Sequence, residues 1–151
     1  MADIGDPLPV TLSPMDFIMY PELTASDINR AAAWYRDKLG LEPVMHGGER
    51  IASNAMPADF DSQLLYETGT ATFGVYESDH AGKNRATAAR LVTSDFDAAF
   101  AELAERGVVF EDYDFGDEFR TIDGVLTSPD GERTCWFKDS EGNILALGSS
   151  H

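Results

Sequence analysis

One unit of this sequence occurs twice. Residues Leu23 to Leu41 run from an extended segment through Ser26-Asp27 into an amphipathic stretch that closes on Gly40. Residues Leu91 to Val108 repeat the pattern with Ser94-Asp95 and Gly107. A repeated supersecondary unit constrains the fold strongly, because a unit that cannot bury its own sheet face must pair with its copy. In each copy the Ser-Asp pair offers a side-chain oxygen to the free N–H groups of a first helical turn. The glycine sits where a helix closes in the left-handed conformation. Ile28, Ala31, Ala32, Tyr35 and Leu39 recur at helical spacing in the first copy, and Phe96, Ala99, Phe100 and Leu103 in the second. Each helix therefore lays one apolar face on a sheet.

The flanking segments read as strands. In the first half these are Phe17 to Ala25, Leu41 to His46, Ser62 to Glu67 and Thr70 to Glu77, the last two joined hairpin-fashion at Thr68-Gly69. In the second half they are Thr87 to Thr93, Val108 to Tyr113, Arg133 to Lys138 and Asn143 to Leu147, with the turn Asp139-Ser140-Glu141-Gly142-Asn143 joining the last two. Asp114 to Arg133, rich in Asp, Gly and Pro, reads as a loop or short extra hairpin over an opening. The expected fold is α+β, two βαβββ modules. Residues 1–14, with three prolines, form an irregular arm, and residues 15–151 one domain: module 1 at about 15–77, a linker at 78–85 and module 2 at about 86–149.

Charge narrows the partners. The 151 residues carry 27 acidic and 11 basic side chains, a net charge of -16, which argues against nucleic acid or an anionic membrane surface. No apolar run approaches the ~20 residues of a membrane span. The single cysteine, Cys135, lies in an apolar run and reads as a small core residue, so a cytoplasmic protein is expected.

With both modules laid out, the chain resembles the vicinal oxygen chelate superfamily, the group of glyoxalase, bleomycin-resistance proteins and extradiol dioxygenases. The resemblance covers about residues 15 to 149. It rests on the helix start Asp27-Ile28-Asn29-Arg30 running through Trp34-Tyr35 to Gly40-Leu41, and on the Asp-x-x-Gly-Asn turn at 139–143. It implies a pair of sheets curling round a cavity, and a homodimer that buries the open edges. Whether modules pair within one chain or between two is left open. In metal-dependent relatives an ion is held by His, Gln or Glu at positions corresponding here to Tyr20, Ala88, Gly74 and Ala146. Three of these have no ligand atom, and tyrosine is a rare ligand for such ions. The expectation is therefore no metal and no other cofactor. His46, His80 and His151 share no ligand-like spacing, and Glu67 with Glu77 reads as a solvated hairpin end.

Strand parity sketches the cavity wall. With Leu23 and Ala25 facing the helix, Tyr20, Glu22 and Thr24 face the cavity; with Phe73 and Val75 in the core, so do Thr72, Gly74 and Tyr76. In the second module Ala88, Arg90, Val92, Ile144 and Ala146 are expected there, and parity leaves Trp136 open between cavity and core. Glu22 and Arg90 lie at equivalent places in the repeat, five residues before Asp27 and Asp95, one acidic and one basic. Small residues at the ligand positions, with aromatic walls, describe a pocket for an organic molecule. The reading is a metal-free small-molecule-binding protein like the drug-binding resistance proteins. Two alternatives stand beside it: a glyoxalase-like lyase or isomerase, or dioxygenase-related enzyme, with an atypical site; and a non-catalytic accessory protein.

Overall fold

The computed structural model describes residue 16 and residues 18 to 150; the arm expected at 1–14, Phe17 and His151 lie outside these. Helix α1, Ile28–Leu39, starts where Asp27 accepts from the N–H groups of Asn29 and Arg30 at 3.1 and 3.0 Å. It ends at Gly40, whose φ of 69° favours a residue without a Cβ. Helix α2, Phe96–Glu105, is capped by Asp95, which accepts from Ala98 N–H at 3.1 Å. Both caps fall where the repeated Ser-Asp pairs put them.

The first module pairs β1 (Glu22–Ala25) in parallel with β5 (Ala71–Glu77), followed by antiparallel β4 (Leu64–Thr68), β2 (Met45–His46) and β3 (Glu49–Arg50), in the order β1-β5-β4-β2-β3. The second pairs β6 (Thr87–Thr93) in parallel with β9 (Ile144–Ser149), then β8 (Arg133–Lys138) and β7 (Leu126–Thr127), in the order β6-β9-β8-β7. Glu22 faces Gly74 across the first parallel pair and Arg90 faces Ala146 across the second, so the repeat holds at the level of register.

Three strands depart from the sequence pattern. β1 starts only at Glu22, after Pro21, which has no N–H to give a ladder. A β2–β3 hairpin turns at Gly47 and Gly48, both at positive φ, 58° and 83°, which a Gly-Gly pair permits. Val108 to Tyr113 is no continuous strand; it keeps a bridge at Phe110 and a bond from Glu111 N–H to the Trp136 carbonyl at 2.8 Å.

The helix-bearing sides of the two sheets share one core. Leu23, Ala25, Leu64, Tyr66 and Val75 from the first module join Cys135, Phe137, Leu145 and Leu147 from the second. Trp34 of α1 stacks on Phe137 at 6.2 Å, and Tyr35 packs on Tyr66 at 5.5 Å. Burial pushes the Cys135 thiol up to about 11, which keeps it protonated and inert. The C-terminal ends of the helices touch: Lys38 donates to the Arg106 carbonyl, and Arg106 Nη1 returns a bond to the Lys38 carbonyl at 3.0 Å. Two helix C-termini carry like partial charge, and this exchange of cations offsets it. Among the described residues no helix is long and apolar enough to cross a membrane.

Candidate functional site

With the helix sides meeting in the core, the other face of each sheet is turned outward. In β8 Cys135 and Phe137 are fully buried toward the core, which sends Thr134 and Trp136 to the outward face and resolves the parity of the tryptophan. Arg90, Ala146 and Trp136 then form one row across β6, β9 and β8. Arg90 reaches along the face and donates from Nη2 to Thr134 Oγ1 at 3.0 Å. Trp136 leans the opposite way and donates from Nε1 to Thr87 Oγ1 at 3.2 Å.

Gly148 makes the Arg90 pose possible. A Cβ built there would stand 2.7 Å from Cζ and 2.9 Å from Nε of Arg90. Gly148 has no positive φ, so what its missing side chain provides is room. Gly74 plays a similar part in the first sheet, where Gln63 donates to the Glu22 carboxylate above it. A Cβ at Gly74 would meet Gln63 Nε2 at 3.1 Å and Glu22 Oε1 at 3.3 Å.

Residues 112–125 fold as a compact hairpin beside Trp136. Asp112 accepts from Thr121 Oγ1 and Gly124 N–H, each at 3.0 Å, and an isolated antiparallel β-bridge pairs the backbones of Asp114 and Arg120. This loop brings Tyr113 to 5.6 Å and Phe119 to 6.0 Å from Trp136, with Phe115 at 5.6 Å from Phe119. Burial, and then Glu111, push the Tyr113 hydroxyl up, so it stays neutral. The result is an aromatic wall at one end of the face and a guanidinium at the other.

Strand cations elsewhere find acids: Arg50 with Glu67 at 3.4 Å, Lys138 with Glu111 at 3.5 Å, and Arg133 with Asp97. Arg90, among the described residues, has no carboxylate within ion-pair distance, in a chain with 27 acidic side chains. Of the other residues named from parity, Tyr20 and Tyr76 are 38% and 37% exposed and Val92 64%, while Ala146 is fully buried. Thr24 is half-buried and its carbonyl accepts from Asn143 Nδ2 at 2.8 Å. No ion pair joins Glu22 to Arg90 within the chain. Gln63, Thr134, Gly148 and the Tyr113, Phe115 and Phe119 wall were not anticipated. Thr134 shares the parity of Trp136, and Gly148 lies two residues past Ala146, so both were within reach of the alternation rule.

The sequence pattern of the Glyoxalase/Bleomycin resistance protein/Dioxygenase superfamily matches residues 16–147. The chain belongs to this superfamily. Among solved structures, a glyoxalase/bleomycin resistance protein from Catenulispora acidiphila is 23% identical, covers 88% of this chain and 97% of its own, and superposes with a TM-score of 0.60. A lactoylglutathione lyase from Agrobacterium tumefaciens is 16% identical over 91% of this chain and 96% of its own, TM-score 0.59. A fosfomycin resistance protein from Listeria monocytogenes, in complex with manganese(II) and a dihydroxypropylphosphonic acid, is 13% identical over 89% of this chain and 90% of its own, TM-score 0.56. At these identities the likeness carries the fold alone. No curated protein matches the chain.

The superfamily includes metal-dependent members, and the corresponding positions here do not fit an ion. Gly74, Ala88 and Ala146 have no donor atom, and Tyr20 is a poor donor for a divalent metal. Among the described residues no three His, Cys, Asp or Glu side chains form a group that could hold a metal ion. His46 is engaged with Asp61 at 2.9 Å.

A cleft of about 730 Å³ lies on the opposite, helix-bearing side, between the modules, with Leu23, Phe73, Leu91, Leu103 and Leu147 in its walls. Thr72, Arg90 and Val92 also border it. The Arg90 guanidinium, however, lies on the outward face, over Gly148. The remaining charges at the cleft, Lys38, Glu102 and Arg106, are engaged with one another and with helix-end carbonyls. Among the described residues the cleft thus offers apolar shape without a free ionic group to orient a ligand, whereas the outward face of the second sheet offers both aromatic surface and a cation with no described acid.

Proposed function

We propose that this superfamily member binds a small organic molecule without a metal ion, in the manner of a drug-binding resistance protein, and that it does so as a cytoplasmic homodimer. The observation that carries the reading is the outward face of the second sheet, which holds Trp136, Tyr113, Phe119 and a guanidinium with no acidic partner among the described residues. Aromatic surface with a few fixed polar groups is the common composition of a small-molecule site. Glu22, Thr24, Gly74 and Tyr76 supply the matching face of the first sheet, with Tyr20 just ahead of β1.

The dimer belongs to the same reading. Within one chain these faces meet solvent, and the apolar side chains on or near them are exposed: Ile18 88%, Met19 87%, Val92 64% and Phe115 74%. Laying the first module of one copy over the second module of another covers both faces twice, under one two-fold axis. The site then draws residues from both chains.

Thermal shift over neutral, anionic and cationic aromatic compounds, read together with Trp136 fluorescence, tests the binding claim. A ligand should raise the melting temperature as its concentration passes Kd and should change a fluorescence signal that Trp136→Phe removes. A panel in which nothing raises the melting temperature, or hits whose signal survives Trp136→Phe, would defeat this site.

A further inference from the structure

Resting on that reading, we infer that the ligand class is an aromatic acid: a ring held at the Trp136 wall and a carboxylate held by Arg90. Three features of the second sheet converge on it. The Arg90 guanidinium makes one described hydrogen bond, from Nη2 to Thr134 Oγ1, which leaves Nε–H and the Nη1 hydrogens with no described acceptor. Nε–H and Nη1–H diverge, so the planar fork that matches a carboxylate with two parallel bonds is completed by the Nη2 hydrogen that Thr134 leaves free, paired with Nε–H or with Nη1–H. The fork is also held in place, lying along Gly148 with its tip on Thr134, so less side-chain freedom is lost when an anion arrives.

Register sets the size of the ligand. Arg90 and Trp136 both pair with Ala146, one from each side. Two strand spacings put their Cα atoms roughly 10 Å apart. Their side chains lean in opposite directions along the strands, Arg90 toward Thr134 and Trp136 toward Thr87. A ring with a short acidic arm spans that distance, and a small inorganic anion does not. The wall accepts the ring by edge or tilted contact, as Tyr113 and Phe119 already make with Trp136.

The charge of the whole chain works against this ligand. At -16 the molecule repels anions at long range, but screening confines that field to about 8 Å at physiological ionic strength. An arginine with no acidic partner among the described residues, in a chain with more than two acids for each base, is therefore the more informative feature. No described carboxylate of the same chain has taken the place of the ligand, and Glu22, on the face that a second copy would lay over Arg90, is already engaged by Gln63.

The test is isothermal titration calorimetry of the full chain with naphthylacetate, naphthylacetamide and naphthylmethylamine, which share a ring and differ in charge. The acid should bind roughly ten- to a hundredfold more tightly than the amide, as for a hydrogen bond to a charged group. In Arg90→Gln that preference should shrink to within about threefold while the amide affinity stays put. Gly148→Ala, which displaces the guanidinium without removing its charge, should reduce the acid's advantage in the same direction. Equal binding of acid and amide by the parent, or tighter binding of the amine, overturns the aromatic-acid assignment and leaves the small-molecule reading standing. Failure of all three probes, where the wider panel does find a ligand sensitive to Trp136→Phe, overturns the assignment alone. Failure of that panel as well removes the small-molecule reading itself.

Discussion

Glu141 and Arg30, 111 positions apart in the chain, meet through two parallel hydrogen bonds: Arg30 Nε to Oε2 at 2.8 Å and Nη2 to Oε1 at 2.9 Å. The same carboxylate accepts from the N–H groups of Ser26 and Asp27, each at 3.0 Å, and from Ser140 Oγ at 2.7 Å. Glu141 belongs to the closing turn of the second module, and Ser26, Asp27 and Arg30 to the helix start of the first. Asp139 orders the turn by accepting from the N–H groups of Glu141 and Asn143, and it also receives the Tyr35 hydroxyl at 2.7 Å. One module thus plugs a carboxylate into the N-terminal end of the other's helix, where free N–H groups and the helix dipole favour an anion.

This joint should be the acid-sensitive element of the fold. Burial alone would raise the Glu141 pKa, but the bonds from Arg30, Ser140 and the Asp27 N–H outweigh it and hold it down at about 2. A carboxylate depressed in the folded state contributes stability that is full above its unfolded pKa and lost as pH falls through the folded value. The window here runs from about pH 4.5 down to about pH 2. The contribution is on the order of 3 kcal/mol. Glu141→Gln should lower urea stability at neutral pH by roughly that amount, and the gap between parent and variant should close across this window. A gap that stays constant from pH 6 to pH 2 would mean that Glu141 is not the linked group.

The two stretches that mark the family in the sequence are the two halves of this joint, which explains why so much of the fold was legible there. Capping pairs, closing glycines and strand alternation are local signals, and they located both helices, the whole of β6 and the core side of β1. The joint itself was not visible, because nothing local links Glu141 to Arg30. Likewise, parity sent Glu22 and Arg90 to one type of face but could not reveal that helix-side packing turns those faces outward. Side-chain partners such as Gln63, just ahead of β4, for Glu22 and Thr134 on β8 for Arg90 are brought close by topology. Only register puts them within reach.

Two buried tyrosines should answer in opposite ways to loss of the hydroxyl. Tyr35 donates to Asp139 in the core, so Tyr35→Phe leaves a buried carboxylate short of a donor and should cost about 1.5 to 3 kcal/mol. Tyr66 is equally buried, yet its hydroxyl has no hydrogen-bond partner among the described residues. Tyr66→Phe removes an unsatisfied polar group at little change in shape, so it should be neutral or stabilising by up to about 1 kcal/mol. Urea unfolding of both variants checks the pair, and a Tyr66→Phe loss as large as that of Tyr35→Phe would contradict the assignment.

Metal analysis separates this chain from metal-dependent relatives. Protein purified without chelator should hold far less than one equivalent of Zn, Ni, Mn or Fe, and added divalent ions should leave its melting temperature unchanged. Near-stoichiometric metal whose removal by chelator lowers the melting temperature would point to ligands other than Tyr20, Ala88, Gly74 and Ala146.

The proposed dimer makes the sharpest claim on a single side chain, Val92. It lies on β6, whose outer edge pairs with no strand among the described residues, and the residue is 64% exposed. An open seven-residue edge beside apolar surface invites strand-to-strand association unless something covers it. If a second copy covers it, Val92 is buried only in the dimer. Val92→Asp should then place a charge in the interface, in a chain already at -16, and split the assembly. The isolated chain should hardly notice, since an exposed substitution of this kind changes stability by about 0.5 kcal/mol or less. Light scattering at micromolar concentration should give twice the chain mass for the parent and the single mass for Val92→Asp, with both circular dichroism spectra alike. The melting temperature of the parent should also rise with protein concentration, and that of the variant should not. A parent that scatters as a monomer, or a variant that remains a dimer, would show that the outward faces are not closed by a second copy, and the site would then have to be built from one chain alone.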